Sequence, residues 1–297
     1  MNRYDVIVIG SGLGGLSSAA FLATSGKKVL VLERHNLPGG YASSFRRGRF
    51  EFEISLHELS GVGHENTRGH IWDDLQKCDV AKRVEFLPIP DVYRSIFPDL
   101  DITVPVGQEN FEKTLCEEFP HEAEGIKRFS TILFDTQAEV IRSVYEGMDI
   151  VNEQPDSFPN LTMRTQSTLE DVLNKEVIDE KARGVIAQLW GYYSLPPSEL
   201  SFLLFAVATA TYIKHGPVHI KGKSQALSQA FVDVIEENGG EIRFNNGAKR
   251  ILFSEGKISG VVAEDGTEIN CPYVMCNVNP LTACFDLIGK EHLRTGI

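Results

Sequence analysis

A chain of 297 residues, 42% hydrophobic and 24% charged, is long enough to bury a sizeable core and to divide into two domains. Its net charge of −12 repels phosphate backbones, which argues against nucleic-acid binding and against a broad basic surface for anionic lipids. Five cysteines without a CxxC pair give neither a disulfide framework nor a compact metal pattern, and suit reduced thiols in the cytoplasm.

The first apolar run, "YDVIVIG" (residues 4–10), reads as a buried parallel strand: β-branched, unalternating and ended by glycine. Glycines follow at once and no cleavage site appears, so it is not a signal peptide. "LGGLSSAAFLATSG" reads as a helix with small residues on one face, closed by Gly26, and "KKVLVLE" as the next strand. Together they make one βαβ unit and predict a parallel sheet.

Residues 67–217 differ in character. Prolines punctuate helical patterns such as "EGIKRFSTILFDTQAEVIRSVYEGM" and "TLEDVLNKEVIDEKARGVIAQLWGYY". This stretch reads as an inserted domain. Within it "LSFLLFAVATATYI" is too short to span a membrane and reads most simply as a buried helix, with a lipophilic channel wall as the other reading. Beyond it, "GKSQALSQAFVDVIEENGGEIRFN" is a helix, a glycine pair and a strand. Short strands follow with tight turns at Glu255-Gly256 and Asp265-Gly266.

Gly10, Gly12 and Gly15 form G-x-G-x-x-G between the first strand and its helix. The first glycine permits the tight turn, the second lets a pyrophosphate approach the backbone, and the third lets helix and strand pack closely. The helix start supplies amide donors to phosphates. Ser11, Leu13 and Gly14 complete the loop. Glu33 ends the second strand, where a carboxylate accepts from ribose hydroxyls. The pattern predicts a bound dinucleotide but does not by itself separate NAD from FAD.

The residues after Glu33 bear on that choice. "ERHNLPGGYASSFRRGRFEFEISLHELSG" resembles the flavin-dependent amine oxidase and carotenoid desaturase superfamily, and within it the phytoene desaturase, carotenoid isomerase and retinol saturase branch. "GKSQALSQAFVDVIEENGGEIRFNNGAKRILFSEGKISGVVAEDGTEINCPYVMCNVNP" resembles that branch's return to its FAD domain. The resemblance covers residues 4–62 and 216–281 and is weak between them. It implies FAD as cofactor. It implies an α/β fold: a Rossmann-type FAD-binding domain (residues 1–66 and 218–297, a parallel sheet with a β-meander) around an inserted α+β substrate domain (67–217). Gly39 and Gly40, with Arg34 and Ser43 nearby, would lie along the pyrophosphate and ribityl chain. Ser55 and His57 would approach the isoalloxazine ring, where His57 would orient the ring or relay a proton. Ala248 would meet the adenine through its backbone, and Asn277 belongs to the Asn-x-Asn-Pro segment.

Three departures stand out. Glu53 replaces the usual Asp. Ser55 replaces a Gly, placing a Cβ where the backbone would pass the flavin. The family continues into a C-terminal glycine-rich motif that this sequence lacks, which implies a fragment or a second chain that completes the fold.

The resemblance implies oxidoreduction, or redox-neutral isomerisation, at the C–C and C=C bonds of a long apolar polyene or isoprenoid lipid, with peripheral membrane contact as one consequence. No Ser-His-Asp order, HExxH or P-loop competes with it. A nucleotide-binding module without its own catalysis and a plain NAD-dependent dehydrogenase are the other readings. His57, His64 and His70 fit no metal-ligand spacing, and no metal is expected. Arg46, Arg47 and Arg49 form a local basic cluster that reads as a solvated turn or as a contact for a phosphate or lipid headgroup. Cys271 and Cys276 read as buried or edge thiols, or as a redox pair. His215 and His219 flank "GPVHIKG", either facing substrate or solvated.

Overall fold

A computed structural model describes residues 4–147 and 155–293. The chain separates into two units: 1–58, 73–87 and 219–297 in the first, and 59–72 with 88–218 in the second. Residues 73–87 thus cluster with the first unit, and 59–72 with the second.

The first unit is built on β1 (Val6–Ile9), α1 (Leu13–Thr24) and β2 (Val29–Leu32). Both strands run parallel, with Val6 opposite Val29 and Ile9 opposite Leu32. Glu241–Arg243 adds a parallel strand beside β2, and Tyr273–Cys276 one beside β1, so that β1 and β2 lie inside the sheet. Interior parallel strands are covered on both faces, which is why both read as unalternating apolar runs. Strand alternation sends Ile7, Ile9, Leu30 and Leu32 to one face, where they meet Ile251, Val261, Ala263 and Ile269 of an antiparallel meander. The meander runs through Ala248–Ser254, Lys257–Ala263 and Glu268–Asn270. Its first turn holds Glu255 at φ 52° and Gly256 at φ 73°, two successive left-handed residues that match the twist of the flanking strands. On α1, Gly15, Leu16, Ala19, Ala20 and Ala23 are buried, and the helix Lys223–Glu237 packs against it. The small residues of α1 permit that close approach.

A hairpin, β3 (Ser44–Arg47) and β4 (Phe50–Glu53), follows the βαβ unit.

The second unit is mainly helical, with one antiparallel hairpin, Asp91–Phe97 and Leu100–Pro105. The helices Ala123–Glu146 and Phe202–His215 pack together around Phe111, Phe129, Leu133, Phe202, Phe205 and Ile213, each fully buried. Phe202–His215 is the buried helix expected from its apolar run. The pattern over residues 168–193 breaks into Leu169–Glu176, Glu180–Ile186 and a 3₁₀ turn at Gln188–Tyr193. Val177 is extended at φ −127°, ψ 120°. The amides of Ile178 and Asp179 leave the helical ladder and donate to Glu122 at 3.1 and 2.7 Å. Asp179 restarts the chain as an N-cap, accepting from the amides of Lys181 and Ala182, both at 2.9 Å.

Those amide bonds, with His121 at 3.1 Å, hold the Asp179 carboxyl below its usual pKa. A depressed folded-state pKa contributes stability above the ordinary Asp value and loses it as pH falls through the lowered one. Asp179→Ala is expected to cost about 1 kcal/mol near neutral pH. The gap to wild type should narrow in thermal melts as pH falls below the ordinary Asp value, about 3.9.

Candidate functional site

The turn from β1 into α1 begins at Gly10, whose φ of 92° demands glycine and whose amide donates to Leu32 O at 2.9 Å. A side chain is excluded at Gly15 as well: an added Cβ would sit 2.1 Å from the Gly10 carbonyl oxygen. The two ends of the motif therefore touch each other, and Gly15 serves the packing of α1 on β1. Gly12 occupies the N-cap of α1 with no side chain to cap the helix, and the first turn carries no acidic residue. The free amides and the positive end of the helix dipole face outward, ready for an anion.

A second glycine turn is laid against the first. Gly39 N donates to Ser11 O at 2.7 Å, and Gly12 and Gly39 form a parallel bridge. Gly39 has φ 112°, with Ala42 O and Ser228 Oγ within 2.4 Å of where its Cβ would be. Glu33 fastens the arrangement at the end of β2. One carboxylate oxygen accepts from the Ser11 amide (2.7 Å) and hydroxyl (2.6 Å), and the other from the His35 amide (2.7 Å).

These turns border a cavity of about 620 Å³, with Gly10, Gly12, Leu13, Gly14, Glu33, Arg34, Gly39, Gly40, Ser55, Ala248 and Asn277 on its wall. Four of the residues expected at a cofactor are placed elsewhere. Ser11 is fully buried and bonded to Glu33. Gly15 lies behind the wall. Ser43 is buried and closes the second turn by donating to Gly40 O at 2.8 Å. His57 is exposed and off the wall, its carbonyl accepting from His219 Nδ1 at 3.2 Å. Ser55 is on the wall with no left-handed strain, its hydroxyl 3.4 Å from Tyr41 O. Arg34 is exposed and pairs with Glu264 at 2.9 Å, and Glu264 also accepts from the Gly247 amide at 3.1 Å.

The wall has a side that motif reading did not reach. Val278, Asn279, Thr282 and Leu287 line it. Asn279 starts the wide helical turn Thr282–Ile288, its side chain accepting from Leu281 N at 2.8 Å and its carbonyl from Ala283 N at 2.9 Å. The Asn-Pro pair at 279–280 was the available signal, since Asn caps and Pro opens helices. The Asn277 amide sits over the first glycine turn, 2.8 Å from the Cβ position of both Gly12 and Gly14.

Among the described residues, no group of three or more His, Cys, Asp or Glu is placed to hold a metal ion. His64 Nε2 bonds Pro217 O at 3.1 Å, and the His70 ring stands edge-on to Tyr145 at 5.9 Å. Cys271 is buried, its thiol directed at the Tyr4 and Tyr273 carbonyls, and burial pushes its pKa up. Among the described residues, no helix is long and apolar enough to cross a membrane.

An uncapped helix start beside two zipped glycine turns is how a Rossmann-type domain receives a dinucleotide. Residues 8–75 match the family described as an NAD(P)-binding Rossmann-like domain. An all-trans-retinol 13,14-reductase from Danio rerio is 25% identical over 97% of this chain and 49% of its own length. A chloroplastic prolycopene isomerase from an Oncidium hybrid is 26% identical over 97% of this chain and 50% of its own. The chain spans about half the length of these relatives. An oxidoreductase from Methanosarcina mazei shares the fold, with a TM-score of 0.70 and 20% identity over 98% of this chain and 62% of its own.

The chain is thus a homologue of the retinol reductases and prolycopene isomerases, and the cofactor this implies is FAD. The site fits that group: a cradle without Cβ atoms, free helix-start amides for the pyrophosphate and a carboxylate at the end of β2.

Proposed function

We propose that this chain is an FAD-dependent oxidoreductase acting on C–C or C=C bonds of a long apolar polyene or isoprenoid lipid. The reaction class is desaturation, saturation or flavin-dependent cis–trans isomerisation. The observation that carries the reading is the glycine-walled cavity closed by Glu33, in a homologue of enzymes named for retinol and prolycopene. A bound flavin would supply hydride exchange with carbon.

The chain's own part is binding and orientation. The first-turn amides of α1 would hold the pyrophosphate, and Glu33 the ribose. Gly39 and Gly40 would let the dinucleotide lie close to the backbone, and Ala248 would offer backbone contacts to the adenine. Val278 and Leu287 would keep the opposite wall apolar. We assign no proton transfer to His57. A small lipophilic substrate is the partner proposed, and the cytoplasm the compartment, which the odd count of cysteines fits.

A second reading, an FAD-binding module without independent catalysis, is favoured by one observation: the chain spans about half of its relatives. One experiment separates the two. The purified chain is mixed with FAD, freed of excess and scanned in the visible. It is then incubated without oxygen, in the oxidised and in the reduced form, with all-trans-retinol or prolycopene, and products are resolved by chromatography. Flavin bands with product support the enzyme, and flavin bands without product the module. A protein that takes up NAD and ignores FAD overturns both.

A further inference from the structure

The cavity wall includes Gly247 and Ala248, which lead into the meander strand Ala248–Ser254. A turn at the far end of the next meander strand grips this entry. Glu264 alone takes both backbone polar groups of Gly247: its amide donates to Gly247 O at 2.8 Å, and its carboxylate accepts from Gly247 N at 3.1 Å. Asp265 grips the residue before. Its amide donates to Asn246 Oδ1 at 3.1 Å, and its carboxylate accepts from Asn246 Nδ2 at 3.0 Å. The other Asp265 oxygen accepts from Thr267 N at 2.8 Å, which fixes the carboxylate in place. Asn246 N in turn donates to Glu33 O at 2.9 Å, so the clasp runs back to the end of β2.

Gly247 is buried and lies outside the left-handed region. Space is what excludes a side chain there: an added Cβ would lie 3.1 Å from Arg34 Cβ and 3.2 Å from the Glu264 carboxyl carbon. The second Glu264 oxygen takes Arg34 Nε at 2.9 Å. One carboxylate thus joins the backbone of the wall to the residue that follows Glu33. The strand pairing does not fix this segment by itself. Ala248 stands opposite Ala263, but the register slips between Ala248 and Arg250, and such a bulge interrupts the ladder where it would anchor the wall. Without the Glu264 carboxylate the buried Gly247 amide loses its acceptor.

We propose that Glu264 is a positioning residue for the adenine half of the cofactor, setting the Gly247–Ala248 backbone against the edge of the base. This rests on the reading that the cavity takes FAD with its adenine at Ala248. Glu264 itself touches no base in this account and acts through Gly247. Backbone groups read a base edge by hydrogen bonds whose strength falls steeply with misalignment. They discriminate between bases only when their positions are held within about 0.5 Å. Adenine presents an amino donor beside a ring-nitrogen acceptor, and hypoxanthine presents a carbonyl acceptor beside an N–H donor. A fixed Ala248 backbone therefore favours adenine over hypoxanthine, and a loosened one favours neither.

The test is calorimetric titration of the flavin-free chain with FAD, ADP and inosine diphosphate, for wild type, Glu264→Ala, Glu264→Met and Glu264→Gln. Glu264→Met keeps the stem and removes the acceptor, so a folding failure of Glu264→Ala does not remove the test. Melts without ligand show that each variant folds. Glu264→Ala and Glu264→Met should bind FAD and ADP about tenfold more weakly than wild type. Their preference for ADP over inosine diphosphate should fall towards one. Glu264→Gln should stay within about twofold of wild type, since its amide oxygen still accepts from Gly247 N and the lost Arg34 pair is a surface one. Unchanged FAD and ADP affinity in Glu264→Ala and Glu264→Met overturns the proposal. So does an equal loss for both diphosphates, the mark of general loosening, or a Glu264→Gln as weak as Glu264→Ala. In a wild type that binds FAD and prefers ADP, these outcomes concern Glu264 alone. A wild type that binds neither FAD nor ADP, or that takes both diphosphates alike, overturns the reading of the cavity and the proposal with it.

Discussion

Gly15→Ala is expected to yield a protein with under a tenth of the wild-type flavin and a stability loss of about 3 kcal/mol or more. The reason is that the new Cβ has nowhere to go. It would lie 2.1 Å from Gly10 O and 3.1 Å from Asn277 Cβ. Gly10 cannot retreat, because Asn277 O stands 2.6 Å from its own Cβ position and its amide is bonded to Leu32 O. Relief comes only by moving α1 off the sheet, which opens the apolar layer around Leu16, Ala19 and Ala20 and takes the helix start out of the cavity wall. Gly14→Ala is the control. Its Cβ meets the far end of a side chain, Asn277 Oδ1 at 2.8 Å, which can rotate aside. That variant should keep its flavin and lose about 1 kcal/mol or less. Visible spectra and thermal melts of the two proteins decide the matter. Equal behaviour would mean that the steric account of the motif is wrong.

Glu33→Gln should weaken FAD binding by about 10-fold to 100-fold, on the order of the 1.5–3 kcal/mol carried by hydrogen bonds to a charged group. Among the described residues, every group bonded to the Glu33 carboxylate is a donor: the Ser11 amide and hydroxyl on one oxygen, the His35 amide on the other. An amide of the same shape must turn its NH₂ towards one of them, and the turn that carries Gly12 and Gly39 loosens with it. A ribose hydroxyl pair then loses both its acceptor and the geometry of its neighbours. Arg34→Ala, next in the chain, should change affinity little, because Arg34 is exposed and its pair with Glu264 is a surface one. Fluorescence titration of FAD into the apoproteins measures both. An unchanged affinity for Glu33→Gln would show that the carboxylate is a strut of the turn and not a cofactor ligand.

What could be read from the sequence follows the range of the interactions. The βαβ unit was legible because each of its signals is local: an apolar run, a turn that only glycine fits, a strand-ending acid. The turns at Gly26 and Gly256 were legible for the same reason. Ser11 and Ser43 were legible as neighbours of the site but not in their roles, since a sequence does not say which acceptor a hydroxyl finds. The helix break at Val177–Asp179 depends on Glu122, far back in the chain, supplying an acceptor for two amides. The wall formed by Val278, Asn279, Thr282 and Leu287 depends on where the return strand places the chain after Cys276. The exposed face of β3–β4 was hidden because "SFRR" and "FEFE" alternate as any half-buried hairpin does. Only the register and the attachment of Glu51 to Lys223 and of Glu53 to Ser224 decide which half is covered.

The place of β1 in the sheet has a consequence for how the protein is made. Its partner on one side is β2, a short helix away, and on the other Tyr273–Cys276, with Val6 opposite Tyr273. During synthesis β1 must wait until the chain has been made as far as Tyr273–Cys276 before its second edge is paired. Through that interval an apolar strand with free backbone groups is open to any passing edge. The waiting time scales with translation and not with the closure of local contacts. Yield of folded protein should therefore respond to translation rate and chaperone supply more than a stability measurement on the finished chain would suggest.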